Sequence, residues 1–268
     1  MIGVFDSGFG GLTILKGFLE KLPQYDYIYL GDNARTPYGS KSQDLIYSYT
    51  REAVDFLFKQ GCALIIIACN TSSAKALRKI QQEFLPENHP DKRVLGVIIP
   101  IVEEAARLTK SKKVGVVGTR ATIESGSYEL EIKKQNGKLE VYGQSCPLLV
   151  PLVEEGWLGK PETKMILKKY LRPLKQKQVD TLILGCTHYP FLINDIKRVM
   201  TKRVKVLNSP KIVAEKLTDY LKRHPEIEEK LGKNKKRIYY TTDDPKRFKY
   251  FSSKFLGDEI KEAIKINL

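Results

Sequence analysis

Two cysteines stand where a thiol can do chemistry. Cys69 closes the run ALIIIAC at 63–69, and Cys186 closes VDTLILGC at 179–186. Each apolar run reads as a buried parallel strand. Each is followed by small polar residues, Asn70 and Thr71 in one case and Thr187 and His188 in the other, and then by a helical pattern. Both thiols are therefore expected at the carboxyl end of a strand and near the amino end of a helix, where open α/β sheets bind ligands. Unpaired amides and the positive end of the helix dipole meet there, which attracts carboxylates and favours a thiolate. One free cysteine is commonly no more than a small buried hydrophobe. The same pattern twice argues for function.

Two thiols across one cleft suit the inversion of a carbon centre. A proton must leave from one face and return to the other, and two acid/base groups do this, exchanging roles with the handedness of the substrate. Asp6, at the end of the first strand, is placed to assist Cys69. His188, two residues along, is placed to assist Cys186. Ser7, Asn70, Thr71 and Thr187 supply hydroxyls and an amide for a carboxylate and a charged amine.

The elements that must position these groups follow in order. A strand at 1–5 enters Asp6-Ser7-Gly8-Phe9-Gly10-Gly11, and a helix is expected over 12–22. These glycines lack the Lys-Ser/Thr of a P-loop and do not meet GxGxxG, so a phosphate cradle is not expected. Asp6 could equally be a cap on a tight turn. A strand over 27–30 leads to the loop 33–41, whose Thr36-Pro37-Tyr38-Gly39 either contacts a ligand or simply turns. A helix over 43–59 precedes the Cys69 strand. A surface loop follows at 86–93, with His89 solvated, then a strand over 94–99 and a helix opened by Pro100.

Val114 to Arg120 repeats the chain's opening as a strand running into a polar turn, with Thr119 at the strand end. Asp6 lies 63 residues before Cys69, and Thr119 lies 67 before Cys186. The near-equal spacing suggests two related α/β halves facing each other. A helix to about 136, a strand over 139–143 and the apolar run 148–153 follow. That run is closed by Glu154-Glu155, an acid that either faces a cleft or ends a helix. Helices are expected over 162–175, 191–199, 211–223 and 245–255. Strands are expected over 204–207 and 237–241, with a connector or a short exposed helix at 223–236 and an extended piece at 260–266. The predicted domains are 1–96 with 208–268, and 97–207.

With 268 residues, the chain is long enough for one large or two medium domains. No stretch approaches the roughly 18 apolar residues of a membrane span, and the amino terminus reads as a strand rather than a signal peptide. A soluble, cytoplasmic protein is expected. Its four cysteines show no CxxC spacing, which argues against a disulfide framework or zinc ribbon. The net charge of +15 sits in runs such as 110–113 and 233–237. Without interleaved aromatics or a recognisable module, a nucleic-acid partner is not expected. Solvated lysines that steer an anionic substrate are the simpler account.

The residues also resemble a family. DSGFGG at 6–11, PYG at 37–39, ACNT at 68–71, GT at 118–119, VPLVEEG at 150–156 and GCTHYP at 185–190 together resemble the glutamate racemases of the cofactor-independent aspartate/glutamate racemase superfamily. The resemblance implies two similar open α/β domains with mainly parallel sheets, related by a pseudo-twofold, with the active site in the cleft between them. It implies racemisation of glutamate without pyridoxal phosphate or metal, a supply of D-glutamate for peptidoglycan, and a homodimer. Cys69 and Cys186 become the paired acid/base residues, with Asp6 and His188 assisting and Glu154 near the second thiol. Ser7, Tyr38, Gly39, Asn70, Thr71, Thr119 and Thr187, with Asp6, become the amino-acid contacts. Cys62 and Cys146 match no catalytic position and read as structural.

Three other readings remain at this stage. An aspartate racemase differs by one methylene of substrate. A metal-dependent hydrolase could use Cys69, Cys186, His188 and Asp6 as ligands, although their spacing fits no standard zinc site. A binding module with the same fold would leave the α-proton of its ligand unexchanged.

Overall fold

A computed structural model describes residues 1–256, 260 and 262–268. Among the described residues there are ten strands: β1 (Ile2–Asp6), β2 (Tyr27–Gly31), β3 (Leu64–Ile67), β4 (Arg93–Gly96), β5 (Lys113–Gly118), β6 (Glu140–Ser145), β7 (Thr181–Gly185), β8 (Lys205–Val206), β9 (Arg237–Thr241) and β10 (Ile264–Lys265). They form a six-stranded sheet, β10-β9-β2-β1-β3-β4, and a four-stranded sheet, β6-β5-β7-β8. Every pairing is parallel. Parallel strands covered on both faces must be apolar throughout, and β1, β2, β3 and β7 are buried along their whole length.

The two sheets share one internal order. β2-β1-β3-β4 in the first corresponds to β6-β5-β7-β8 in the second. The strand that leads the chain into each sheet lies between its second and third strands, and both cysteines follow the third, β3 and β7. The spacing seen in the sequence thus marks a repeated topology. β9 extends the first sheet by pairing with β2, so the chain's last third returns to where it began. One apolar cluster links the sheets, joining Ile2, Val4 and Leu12 to Val114, Val116 and Ile183. The helices Leu12–Lys21 and Ser209–Arg223 pack against each other within it.

Local details differ from expectation in five places. The strand expected over 94–99 stops at Gly96, and a helix starts at Ile98. Pro100 lies within that helix's first turn, where no intrahelical N–H bond is needed. Residues expected to be loop include the short helix Leu85–Asn88. His89 is tethered rather than solvated: its Nε2 lies 3.0 Å from Asp55 Oδ1 and its ring packs on Phe58. The stretch 223–236 contains a short helix, Pro225–Glu228, in line with one of its two readings, but it buries Ile227 in the core rather than lying wholly exposed. Of the extended piece at 260–266, residue 261 lies outside the described residues and the strand covers Ile264–Lys265. No described helix is long and apolar enough to cross a membrane.

Candidate active site

Cys69 leaves β3 and caps the helix Asn70–Lys75, its Sγ accepting from the Ser72 amide at 3.4 Å. Ser7, just past β1, brings its Oγ to 3.3 Å from the same sulfur. The terminus was expected to favour a thiolate. In the free protein burial wins: it pushes the Cys69 thiol up to about 11, and the nearby Asp6 carboxylate adds to the rise.

Cys186 leaves β7 into a turn, and the 3₁₀ segment Tyr189–Leu192 follows. Its Sγ lies 3.9 Å from His188 Nδ1, and His188 Nε2 lies 3.0 Å from Glu154 Oε1. Burial disfavours a charged imidazole, but Cys186 and Glu154 outweigh it and raise His188 to about 10. Glu154 ends the helix Leu149–Glu154, while its neighbour Glu155 is exposed. The acid that faces the imidazole is therefore Glu154.

Asp6 is fully buried at the end of β1. Its carboxylate accepts from the Gly8 amide at 3.0 Å and from Thr187 Oγ1 at 3.3 Å. Burial raises its pKa to about 6, opposed by the charge of His188 and by those hydrogen bonds. Asp6 thus acts on Cys69 through its charge, while its hydrogen bond reaches the Cys186 side. Such contact between the halves needs a close approach. A Cβ on Gly10 would fall 2.3 Å from Thr187 Oγ1 and 2.6 Å from His188 Nδ1.

Between the thiols lies a ring of hydroxyls and amides. Thr71, Thr119 and Thr122 join their hydroxyls at 2.9 to 3.1 Å, and Thr119 caps the helix Arg120–Glu124. Asn70 Oδ1 accepts from the Tyr128 hydroxyl at 2.6 Å. Tyr38 donates to the buried Asp32, which also accepts from Arg35 Nε at 2.6 Å and Thr242 Oγ1 at 2.8 Å. That anchor sets the Tyr38-Gly39 turn against Thr119, where a Cβ on Gly39 would stand 2.7 Å from the threonine's own.

Ten of the twelve residues singled out from the sequence line one narrow cavity of about 30 Å³: Ser7, Tyr38, Gly39, Cys69, Asn70, Thr71, Thr119, Cys186, Thr187 and His188. Asp6 and Glu154 stand behind it, each bonded to a lining residue. Val150 lines the cavity too, and Asp32, Thr122 and Tyr128 support it. Sequence reasoning assigns no role to these four. Only Thr122 carries a local signal, the three-residue spacing of a cap and its partner. Among the described residues, no group of three or more His, Cys, Asp or Glu side chains is placed to hold a metal ion. The zinc reading through Cys69, Cys186, His188 and Asp6 therefore finds no ligand geometry.

The arrangement has known counterparts. The family model described as Asp/Glu/Hydantoin racemase matches residues 12–217. A glutamate racemase of Aquifex aeolicus is 42% identical over 264 residues, 98% of this chain and 96% of that one. A crystal structure of a glutamate racemase isoform from Bacillus anthracis superposes with a TM-score of 0.91 at 33% identity, covering 100% of this chain and 97% of that one. The glutamate racemase of Francisella tularensis, solved in complex with D-glutamate, gives a TM-score of 0.89 at 37% identity, covering 99% of this chain and 97% of that one.

Proposed function

The chain belongs to the Asp/Glu/hydantoin racemase family, and on that footing we propose that it interconverts L- and D-glutamate with Cys69 and Cys186 as the paired acid and base. The observation that carries this reading is the placement of both thiols in one cavity, on corresponding strands of two sheets with the same order. Neither pyridoxal phosphate nor a metal takes part in the scheme.

The thiolate on one side takes the α-proton, and the thiol on the other gives its proton to the opposite face of the carbanion. One thiol is formed and one thiolate is left, so the reverse reaction starts from the state the forward one ends in. In the free protein Cys69 holds its proton tightly. An incoming ammonium group is a cation beside the sulfur and favours its ionised form. Asn70, Thr71, Thr119 and Thr187 supply donors for the carboxylates, with Ser7 and the Tyr38-Gly39 turn closing the near side. Glu154 holds His188 as the proton partner of Cys186, and Asp6 balances charge between the halves. Substrate filling the narrow cavity displaces water from it, which strengthens each of these interactions.

The product would be D-glutamate for peptidoglycan, made in the cytoplasm by a homodimer. The domains are drawn at 1–96 with 208–268, and at 97–207. The basic surface steers an anionic substrate rather than binding nucleic acid.

Proton NMR of L-glutamate with the protein in heavy water, with reductant and no cofactor, tests the reaction. Loss of the α-proton signal with accumulation of D-glutamate is expected. The same run with L-aspartate should leave its signal in place. An unchanged α-proton in both substrates would overturn the proposal, and exchange of aspartate alone would reassign the substrate.

A further inference from the structure

We infer that Ser72 is a positioning residue for Cys69, its hydroxyl poised beside the sulfur and tightening onto it when the thiol ionises. This rests on the acid/base role proposed for Cys69 and goes beyond it, since Ser72 touches neither the cavity nor the ligand groups described above.

Ser72 is completely buried in the first turn of the helix that Cys69 caps, and its amide already points at the Cys69 sulfur, 3.4 Å away. Among the described residues its Oγ meets no partner at full hydrogen-bond geometry, yet it already lies close enough to the Cys69 sulfur to favour the thiolate. Buried hydroxyls in helices usually settle on a backbone carbonyl one turn back. Thr50 does so on Ile46 and Thr218 on Ala214, at 2.6 and 2.9 Å. The next residue, Ser73, gives its hydroxyl to the Ile67 carbonyl at 2.9 Å. Ser72 takes no such route. A buried donor left without a full hydrogen bond is costly to a fold, and such groups collect where charge appears during function.

The surroundings leave that hydroxyl a distinct part to play. From β1 come Asp6, whose charge opposes a thiolate, and Ser7, whose hydroxyl lies against the sulfur. From β2 and the loop after it come Tyr29 and Tyr38, both near Cys69. Their hydroxyls are committed to the Gly8 carbonyl and to Asp32. Across the cavity stand Cys186 and His188, which bond to each other. A thiolate at Cys69 thus finds the Ser7 hydroxyl and the Ser72 amide in place. The Ser72 hydroxyl becomes the third donor, already beside the sulfur and drawn tighter onto it in the charged state. A donor that is stronger to the charged than to the resting form lowers the barrier to ionisation without reorganising the site.

Ser72→Ala tests this through the chemistry of the thiol itself. The rate of Cys69 alkylation by iodoacetamide at pH 8, read by mass spectrometry of its peptide, follows the thiolate fraction. It should fall about fivefold to tenfold in the variant, equivalent to roughly one pH unit, while the rate at Cys186 stays unchanged. Racemisation of glutamate at pH 7.5 should fall by a similar factor and recover as the pH is raised. A loosened helix would expose Cys69 and raise its alkylation, so the sign separates tuning from structural damage. Equal alkylation rates in variant and wild type would overturn the inference. A wild type that exchanges no α-proton would instead overturn the proposed reaction, with the alkylation rates still reporting on Ser72.

Discussion

Glu154 Oε1 stands 3.0 Å from His188 Nε2, and this pair sets the charge of the imidazole beside Cys186. The folded pKa of about 10 lies above the ordinary 6.5. The stability it contributes is therefore fully present below pH 6.5 and is lost as pH rises through about 10. Glu154→Gln removes one of the two groups that oppose burial, Cys186 being the other, and so lowers the pKa of the ring. The variant should melt below wild type at pH 6, with the gap closing by about pH 10. Its kcat should fall about 10- to 100-fold, less than the roughly 10²- to 10⁴-fold of removing an acid/base group outright, because His188 itself remains. A melting gap independent of pH would mean that His188 is not held as a cation.

Asp6 shows the opposite compromise. Burial raises its pKa from 3.8 to about 6, so the folded state binds its proton more tightly than the unfolded chain does. That term favours folding below pH 3.8 and is lost as pH rises through about 6. Keeping Asp6 ionised at neutral pH costs on the order of 3 kcal/mol relative to acid. Asp6→Asn has no such titration. Denaturation at pH 4 and pH 7.5 should show the variant gaining on wild type by up to about that amount between the two conditions. Its racemase activity should fall meanwhile, since function and stability conflict at such a site. Parallel pH profiles for the two proteins would refute the assignment.

Cys69→Ser and Cys186→Ser remove one proton carrier each, and a hydroxyl is far too weak an acid to replace a thiol. Each variant should lose racemisation by about 10²- to 10⁴-fold while keeping its far-ultraviolet circular dichroism. Near-wild-type racemisation by either single variant would exclude the paired mechanism.

Gly10 sits where the two halves touch. In Gly10→Ala the new methyl group meets Thr187 and His188 at 2.3 and 2.6 Å, and packed groups of this kind resist displacement. A loss of about 1–3 kcal/mol of stability is expected, with a larger fractional loss of activity because His188 shifts. Gly137→Ala is the control: its nearest neighbour is a carbonyl at 4.0 Å, and both properties should stay at wild-type levels. Full activity in Gly10→Ala would mean that the His188 position is not critical.

Much of this site was legible because its signals are local. The helix Gln43–Lys59 follows the Ser42 cap, and β3 follows from its unbroken aliphatic run. The strand-end positions of Asp6, Cys69, Thr119 and Cys186 come from the same kind of signal. Failures arose where packing overrides local preference. Val97, Ile98 and Ile99 read as strand because they are β-branched, yet the helix Ile98–Leu108 buries Ile98 in the core. Contacts made in space left no local signal, and only the family resemblance set Glu154 near the second thiol. Glu154 meets His188 across 34 residues, and Thr187 meets Asp6 across 181. The placement of the Ser72 hydroxyl was equally invisible, because a serine in a helix's first turn is ordinary.

Tyr128 and Asn70 give the last prediction. The Tyr128 hydroxyl donates to Asn70 Oδ1 at 2.6 Å from a helix packed behind the second sheet. With its oxygen engaged, the Asn70 amide keeps its NH₂ group as the free end, the correct polarity for a substrate carboxylate. Tyr128→Phe preserves the buried ring, which packs beside Gly185, but lets the amide turn its oxygen toward the cavity. An oxygen there would repel a carboxylate instead of binding it. The KM for glutamate should rise about tenfold, the equivalent of one lost hydrogen bond, with kcat within about twofold because neither thiol moves. The double variant with Asn70→Ala should be no worse than Asn70→Ala alone, since Tyr128 acts only through that amide. Additive losses would show that Tyr128 reaches the substrate by another route.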